Sequence, residues 1–152
     1  MNILAVDPAS EFGWALSNAE YGTWDLRTRK DESQGMKLIR LEGKLNEIHQ
    51  VRGLDLIVYE RPAGRNTDSV IKHGKLVGTI EKWCENNNIE YAGYSASEIK
   101  KFATGKGNSG KPAMISAAKQ KYGYKGSNDN EADALHLLNM VQHNLSVNKK
   151  SA

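Results

Sequence analysis

The chain has little of what staples, breaks or anchors a fold. Among 152 residues it has one cysteine, Cys84. One thiol closes no internal disulfide and makes no cysteine-based zinc site, so a reducing cytoplasm is the expected compartment. Cys84 lies between Trp83 and Glu85 in a helical pattern and reads as a structural thiol. Only three prolines occur, Pro8, Pro62 and Pro112, and each falls at the edge of an expected element. No apolar run approaches the roughly 18 residues that span a membrane. Met1 leads directly into an apolar strand, so no leader peptide is read. There is no internal repeat and no linker-like stretch. The expected organisation is one domain over residues 1–145 with a flexible tail over 146–152.

Acid is missing from one long segment. Between Lys100 and Lys125 stand seven lysines and no aspartate or glutamate. That segment carries +7, which leaves −4 for the rest of a chain whose net charge is +3. A basic stretch in a chain whose best-placed carboxylates lie elsewhere points to a polyanionic partner. Taken alone, the same lysines would equally make a solvated helix face.

The carboxylates end strands. Ile3-Leu4-Ala5-Val6 runs into Asp7, and Pro8-Ala9-Ser10 stops the strand. Leu56-Ile57-Val58-Tyr59 runs into Glu60, and Arg61-Pro62 stops it. Continuous apolar runs read as strands buried on both faces. The carboxyl edge of such a sheet is where open α/β folds place their chemistry.

The elements between these strands complete a fold. Phe12–Leu16 and Tyr21–Leu26 read as strands joined by a turn at 17–20, so the domain opens with an antiparallel meander. Apolar residues from Met36 to Val51 fall at helical spacing, and Gly53 closes that helix. A second helix follows the polar loop 62–67, with Asp68 or Ser69 as the expected cap. Ile89–Tyr94 is the fifth strand. Ser95 with Glu98 forms a capping box for a short helix. Pro112 opens another helix to about Tyr122. The last helix begins at Asp129 or Asn130 and is expected to end near Asn144. The order β-β-β-α-β-α-β-α-α predicts a mixed five-stranded α/β sheet with helices on both faces. A right-handed crossover lays the fourth strand parallel beside the first. Asp7 and Glu60 then emerge side by side and on the same face.

Two adjacent carboxylates cannot both stay ionised easily without a cation. All-oxygen ligands suit magnesium or manganese. The last helix adds Asp129 and Asp133, four residues apart and on one helical face. Asp133 lies between Ala132 and Ala134, a packed setting for a metal ligand. For Asp129 the simpler alternative is a helix cap.

These motifs together resemble the RuvC family of Holliday junction resolvases, within the ribonuclease H-like superfamily. The resemblance rests on Asp7-Pro8-Ala9-Ser10 followed by Gly13-Trp14-Ala15, on Glu60 at the end of the fourth strand, and on Glu131-Ala132-Asp133-Ala134-Leu135 in the late helix. It covers about residues 1–143. The short length and the form Asn128-Asp129-Asn130-Glu131 resemble bacteriophage members, which would act in the cytoplasm of a bacterial host. The resemblance implies that Asp7, Glu60 and Asp133 are catalytic metal ligands. The family's fourth acidic position falls on Asn130 here. Either Asp129 substitutes for it, the favoured reading, or Asn130 supplies a neutral oxygen. The implied chemistry is hydrolysis of a phosphodiester by two magnesium ions, with manganese as a substitute, leaving 5′-phosphate and 3′-hydroxyl ends.

The resemblance also implies a homodimer acting on four-way junctions and related branched DNA, such as forks. The helix with Gly74 and Gly78 resembles the family's dimer helix, although its apolar residues would serve equally as ordinary core. Expected DNA contacts are Arg65 and Asn66, in the loop after Glu60, and Lys106 and Lys111 beside a glycine turn. The loop after Glu60 lacks an aromatic wedge. Other readings are a ribonuclease H-like nuclease acting on RNA–DNA hybrids, forks or flaps, and a branched-DNA-binding protein without activity. Gly105–Lys111 fits the Walker A spacing, but Pro112 stands where serine or threonine must follow, so nucleotide hydrolysis is rejected. His136, three residues after Asp133, reads as a structural histidine.

Overall fold

Residues 1–151 are described here by a computed structural model. Three strands open the chain, β1 (Ile3–Asp7), β2 (Glu11–Leu16) and β3 (Tyr21–Asp25). They are followed by α1 (Gly35–Arg52), β4 (Leu56–Glu60), α2 (Thr67–Asn87) and β5 (Glu90–Tyr94). Three helices end it, α3 (Ala96–Thr104), α4 (Lys111–Tyr122) and α5 (Asp129–Ser151), one more than the two that close the expected order, which leaves out one of the three helical stretches after the fifth strand. The sheet order is β3-β2-β1-β4-β5. β1, β2 and β3 form the expected meander, and β4 lies parallel to both β1 and β5.

Alternation along the central strands divides the core into two layers. Leu4, Val6, Ile57 and Tyr59 face α1 and α2, where they meet Leu41, Leu45, Leu76, Ile80 and Trp83. Ile3, Ala5 and Val58 face the other way, toward Ile99 of α3, Met114 of α4, and Ala132, Leu135 and Leu138 of α5. Burying each such aliphatic side chain contributes about 1.5–3 kcal/mol before the entropy of ordering is counted. Among the described residues no helix is long and apolar enough to cross a membrane.

Helix ends follow the expected chemistry with three differences. Gly53 closes α1 in the left-handed region, and Ser95 with Glu98 forms the capping box of α3. The cap of α2, however, is Asn66, whose side chain accepts from Ser69 N at 3.1 Å; neither Asp68 nor Ser69 serves. α5 starts at Asp129 as expected, but Asn128 holds its first turn by accepting from Asn130 N and Glu131 N. Asp129 is therefore not the cap. α5 also runs on to Ser151 instead of ending near Asn144, because Leu145 still packs against the inner layer. Of the tail expected over 146–152, Ala152 lies outside the described residues.

Two buried polar groups are spoken for. His136 is fully buried in α5. Its Nε2 lies 2.8 Å from the Met114 carbonyl and its Nδ1 lies 3.0 Å from the Tyr122 hydroxyl. A carbonyl only accepts, so Nε2 donates and Nδ1 accepts from tyrosine. That is one neutral tautomer tying α5 to α4. Burial pushes the Cys84 thiol up to about 12, which keeps it protonated and unreactive.

Candidate metal centre and nucleic-acid interface

The parallel register sets the first two carboxylates. Val6 pairs with Tyr59 across β1 and β4, so the next residues, Asp7 and Glu60, leave the sheet together. Asp7 keeps only 9% of its surface exposed. Its other strand neighbour is Gly13, on β2. A Cβ at Gly13 would overlap the backbone carbonyl of Asn130. The absent side chain lets the first turn of α5 settle directly on β2, beside Asp7.

That first turn then sorts its residues. Asp129 and Asp133 act electrostatically on Asp7. Glu131 faces elsewhere, accepting from the Thr23 hydroxyl and the Tyr124 hydroxyl, both at 2.7 Å. Asn130 donates through Nδ2 to the Glu11 carbonyl at 2.8 Å. Four carboxylates, Asp7, Glu60, Asp129 and Asp133, thus gather at one sheet edge, while Asn130 is engaged with β2.

Burial, and then mutual repulsion, weakens the acidity of Asp7 and Asp133. Burial raises Asp7 well above the usual carboxylate range, and Glu60, Asp133 and Asp129 add to it in that order. Burial also raises Asp133, to about 7, helped by Glu60 and Asp129. Glu60 is raised by burial, and Lys100 opposes the rise. Asp133 Oδ1 is buried and has no hydrogen-bond partner. An orphaned carboxylate oxygen among anions is a donor waiting for a cation. Among the described residues no three acidic, imidazole or thiol groups stand at ligand spacing. The residues fit a hard divalent metal by donor type and by this free oxygen, and binding would have to draw them together.

Lysines flank the carboxylates. Lys100 of α3 acts on both Glu60 and Asp133. Sequence reasoning counted Lys100 only in a charge sum. The available signal was the capping box, which fixes where α3 begins beside β5. Lys111 Nζ lies 3.6 Å from Asp129 Oδ2, with 78% of its side chain exposed. Lys106 is exposed in the glycine turn between α3 and α4. Arg65 and Asn66 are exposed in the loop after β4, where Asn66 already spends its oxygen on the α2 cap.

No family model matches the chain. Among solved structures, Thermus thermophilus RuvC superposes with a TM-score of 0.70 at 17% identity over 90% of both chains. The chain has the RuvC fold. The same RuvC in complex with a Holliday junction substrate gives 0.71 at 17% identity, again over 90% of both chains. The yeast mitochondrial Holliday junction resolvase Ydc2 gives 0.59 at 13% identity, over 89% of this chain and 76% of that one. By sequence, the chain is 27% identical to the crossover junction endodeoxyribonuclease RuvC of Brachyspira hyodysenteriae over 143 residues, 89% of each protein. It is also 27% identical to the RuvC of Salinibacter ruber over 150 residues, 89% of this chain and 81% of that protein. On this RuvC-like frame, as expected from the sequence, the acidic strand ends and the acidic helix meet at one edge.

Proposed function

We propose that the chain is a structure-specific endonuclease that resolves Holliday junctions, of the bacteriophage type by the Asn128-Asp129-Asn130-Glu131 form at the start of its late helix, acting in a reducing cytoplasm. The observation that carries the reading is the buried Asp7–Asp133 neighbourhood, with its unsatisfied oxygen, on a RuvC fold. Asp7, Glu60, Asp133 and Asp129 would hold two magnesium ions, or manganese in their place. When bound, those ions would supply an activated water and stabilise the leaving 3′ oxygen, giving a 5′-phosphate and a 3′-hydroxyl.

The remaining work falls to the chain's own groups. Burial and the neighbouring carboxylates disfavour the ionised form of Asp7 until a cation offsets them. Lys100 and Lys111 balance the carboxylates and offer charge to a phosphate approaching the edge. Lys106, Lys111 and Arg65 bind backbone and position it without reading bases. Asn66 contributes mainly by fixing the start of α2 next to that loop. Resolution requires symmetric cuts, so the active form is a two-fold homodimer. α2 offers a contact face in Ile71, 49% exposed, with Gly74 and Gly78, where an added Cβ meets nothing within 4 Å.

The deciding experiment is magnesium-dependent cleavage of a synthetic four-way junction beside duplex and RNA–DNA hybrid controls. We expect paired nicks in the junction alone. Preferential cutting of the hybrid would favour a ribonuclease H activity instead. Tight junction binding with no cutting in magnesium or manganese would make the protein a binding factor.

A further inference from the structure

Between the start of α1 and the middle of α2 lies a groove of about 400 Å3, lined by Gln34, Gly35, Lys37, Leu38, Lys72 and Lys75. Three of its six lining residues are lysines, and none is acidic. Of the acids on neighbouring turns, Glu32 is paired with Arg29 and Arg40 and Glu42 with Lys82, which leaves Asp68, one turn before Lys72, as the acid nearest in α2. Three lysines against that one exposed carboxylate leave the groove net cationic. Lys37 is depressed first by burial and then by the charge of Lys72. Like charges held together in a partly desolvated groove are stabilised by an anion.

The groove begins at the metal edge. Lys37 Nζ donates to Ser10 Oγ at 3.0 Å, and Ser10 lies three residues beyond Asp7. His73, next in the chain after Lys72, has its Nε2 2.8 Å from the Glu60 carbonyl. The groove is thus on the α1–α2 side of the sheet, while Lys100, Lys106 and Lys111 are on the α3–α5 side. The four carboxylates lie between two cationic flanks.

We propose that this groove is a second track for the DNA backbone, which takes the strand as it leaves the carboxylate edge on the side away from Lys106 and Lys111. The inference rests on the reading of the chain as a DNA nuclease and extends its substrate path. Lysines give point charges without the planar fork that reads guanine, so the track binds phosphate regardless of sequence. A second copy of the chain is a poorer occupant, because a two-fold contact here would bring like-charged lysines together.

The test compares junction binding over a range of salt with calcium in place of magnesium, so that nothing is cut. The variants are Lys72→Gln/Lys75→Gln, which keeps the Lys37–Ser10 contact, and the same pair with Lys37→Gln added. Each neutralised phosphate contributes about −0.9 to the slope of log affinity against log salt. The double variant should flatten the slope by about 2 units per subunit and weaken binding about tenfold at physiological salt, equally on unrelated sequences. Its melting temperature and its mass in solution should match the wild type. An unchanged slope, or a shift from dimer to monomer, overturns the proposal. Lys106→Gln/Lys111→Gln is run alongside: if it flattens the slope and the groove variants do not, only the groove proposal falls. If the wild type binds junction no better than random duplex, the nuclease reading falls with it.

Discussion

Asp129 joins the carboxylates and pairs with Lys111, whereas Asn130 turns to β2 and donates to Glu11. Asp129→Asn should therefore lose at least about 100-fold in magnesium-dependent cleavage, and Asn130→Ala should lose far less of the metal affinity. Isothermal titration with manganese on both variants separates the roles, and a larger loss at Asn130 would reverse the assignment. His136 carries a second prediction. Burial holds it below the ordinary histidine range, although its contact with the Met114 carbonyl pulls the other way. The folded state then keeps it neutral while the unfolded chain takes up a proton near pH 6.5. Stability from this residue is complete above that pH and is lost as pH falls through 6.5 toward the folded value. Each pH unit across that window costs up to about 1.4 kcal/mol. Melting curves from pH 8 to pH 5 should show a shallower acid limb for His136→Gln than for the wild type. Equal limbs would mean that the acid sensitivity comes from other groups.

Secondary elements were legible where hydrophobic period and capping chemistry agreed. β1 and β4 read clearly because their apolar runs are short, uninterrupted and closed by proline-containing turns. Asp7 and Glu60 followed from the same runs, since parity puts them on one face, and Asp133 followed from its packed setting between Ala132 and Ala134. The caps were harder to read. Asn66, Asp68 and Ser69 can all cap a helix, and only the path of the chain chooses Asn66. The end of α5 was not legible either, because the pattern thins past Asn144 and the packing of Leu145 is a tertiary effect. Lys100 stayed hidden for the same kind of reason: its place beside Glu60 depends on how α3 docks. At this scale α2 makes its own prediction. Gly78→Glu puts a charge on the exposed face without crowding its own fold, since a Cβ there meets nothing. It should convert a dimer into a monomer by light scattering and abolish paired nicking of the junction. A variant that stays dimeric would remove α2 from the contact.

Across the whole molecule, charge is arranged against stability when metal is absent. Four carboxylates crowd one edge, and burial raises Asp7 and Asp133 rather than letting them ionise freely. Asp133→Asn should therefore melt higher than the wild type in chelator, by roughly 2–4 °C for each kcal/mol of repulsion relieved. Magnesium should reverse the order, because ligand binding stabilises only a protein that can hold it. Calorimetry of both proteins with chelator and with magnesium reads this directly. Identical melting of the two proteins in both conditions would detach Asp133 from the metal.

Gly13 has a consequence for how such a chain can vary. Its missing side chain puts the main chain of β2 against the main chain of α5, with the Asn130 carbonyl as the contact. Gly13→Ala should cost about 1–3 kcal/mol and lower manganese affinity, with every acidic residue still in place. Affinity equal to the wild type by titration would show that the helix can tilt without cost. The partner atom belongs to the backbone, so no replacement at position 130 can make room. A lineage could drift at its lysines and its loops and so change which DNA it holds. The separation between Asp7 and Asp133 is inherited through one hydrogen atom that no neighbouring change can replace.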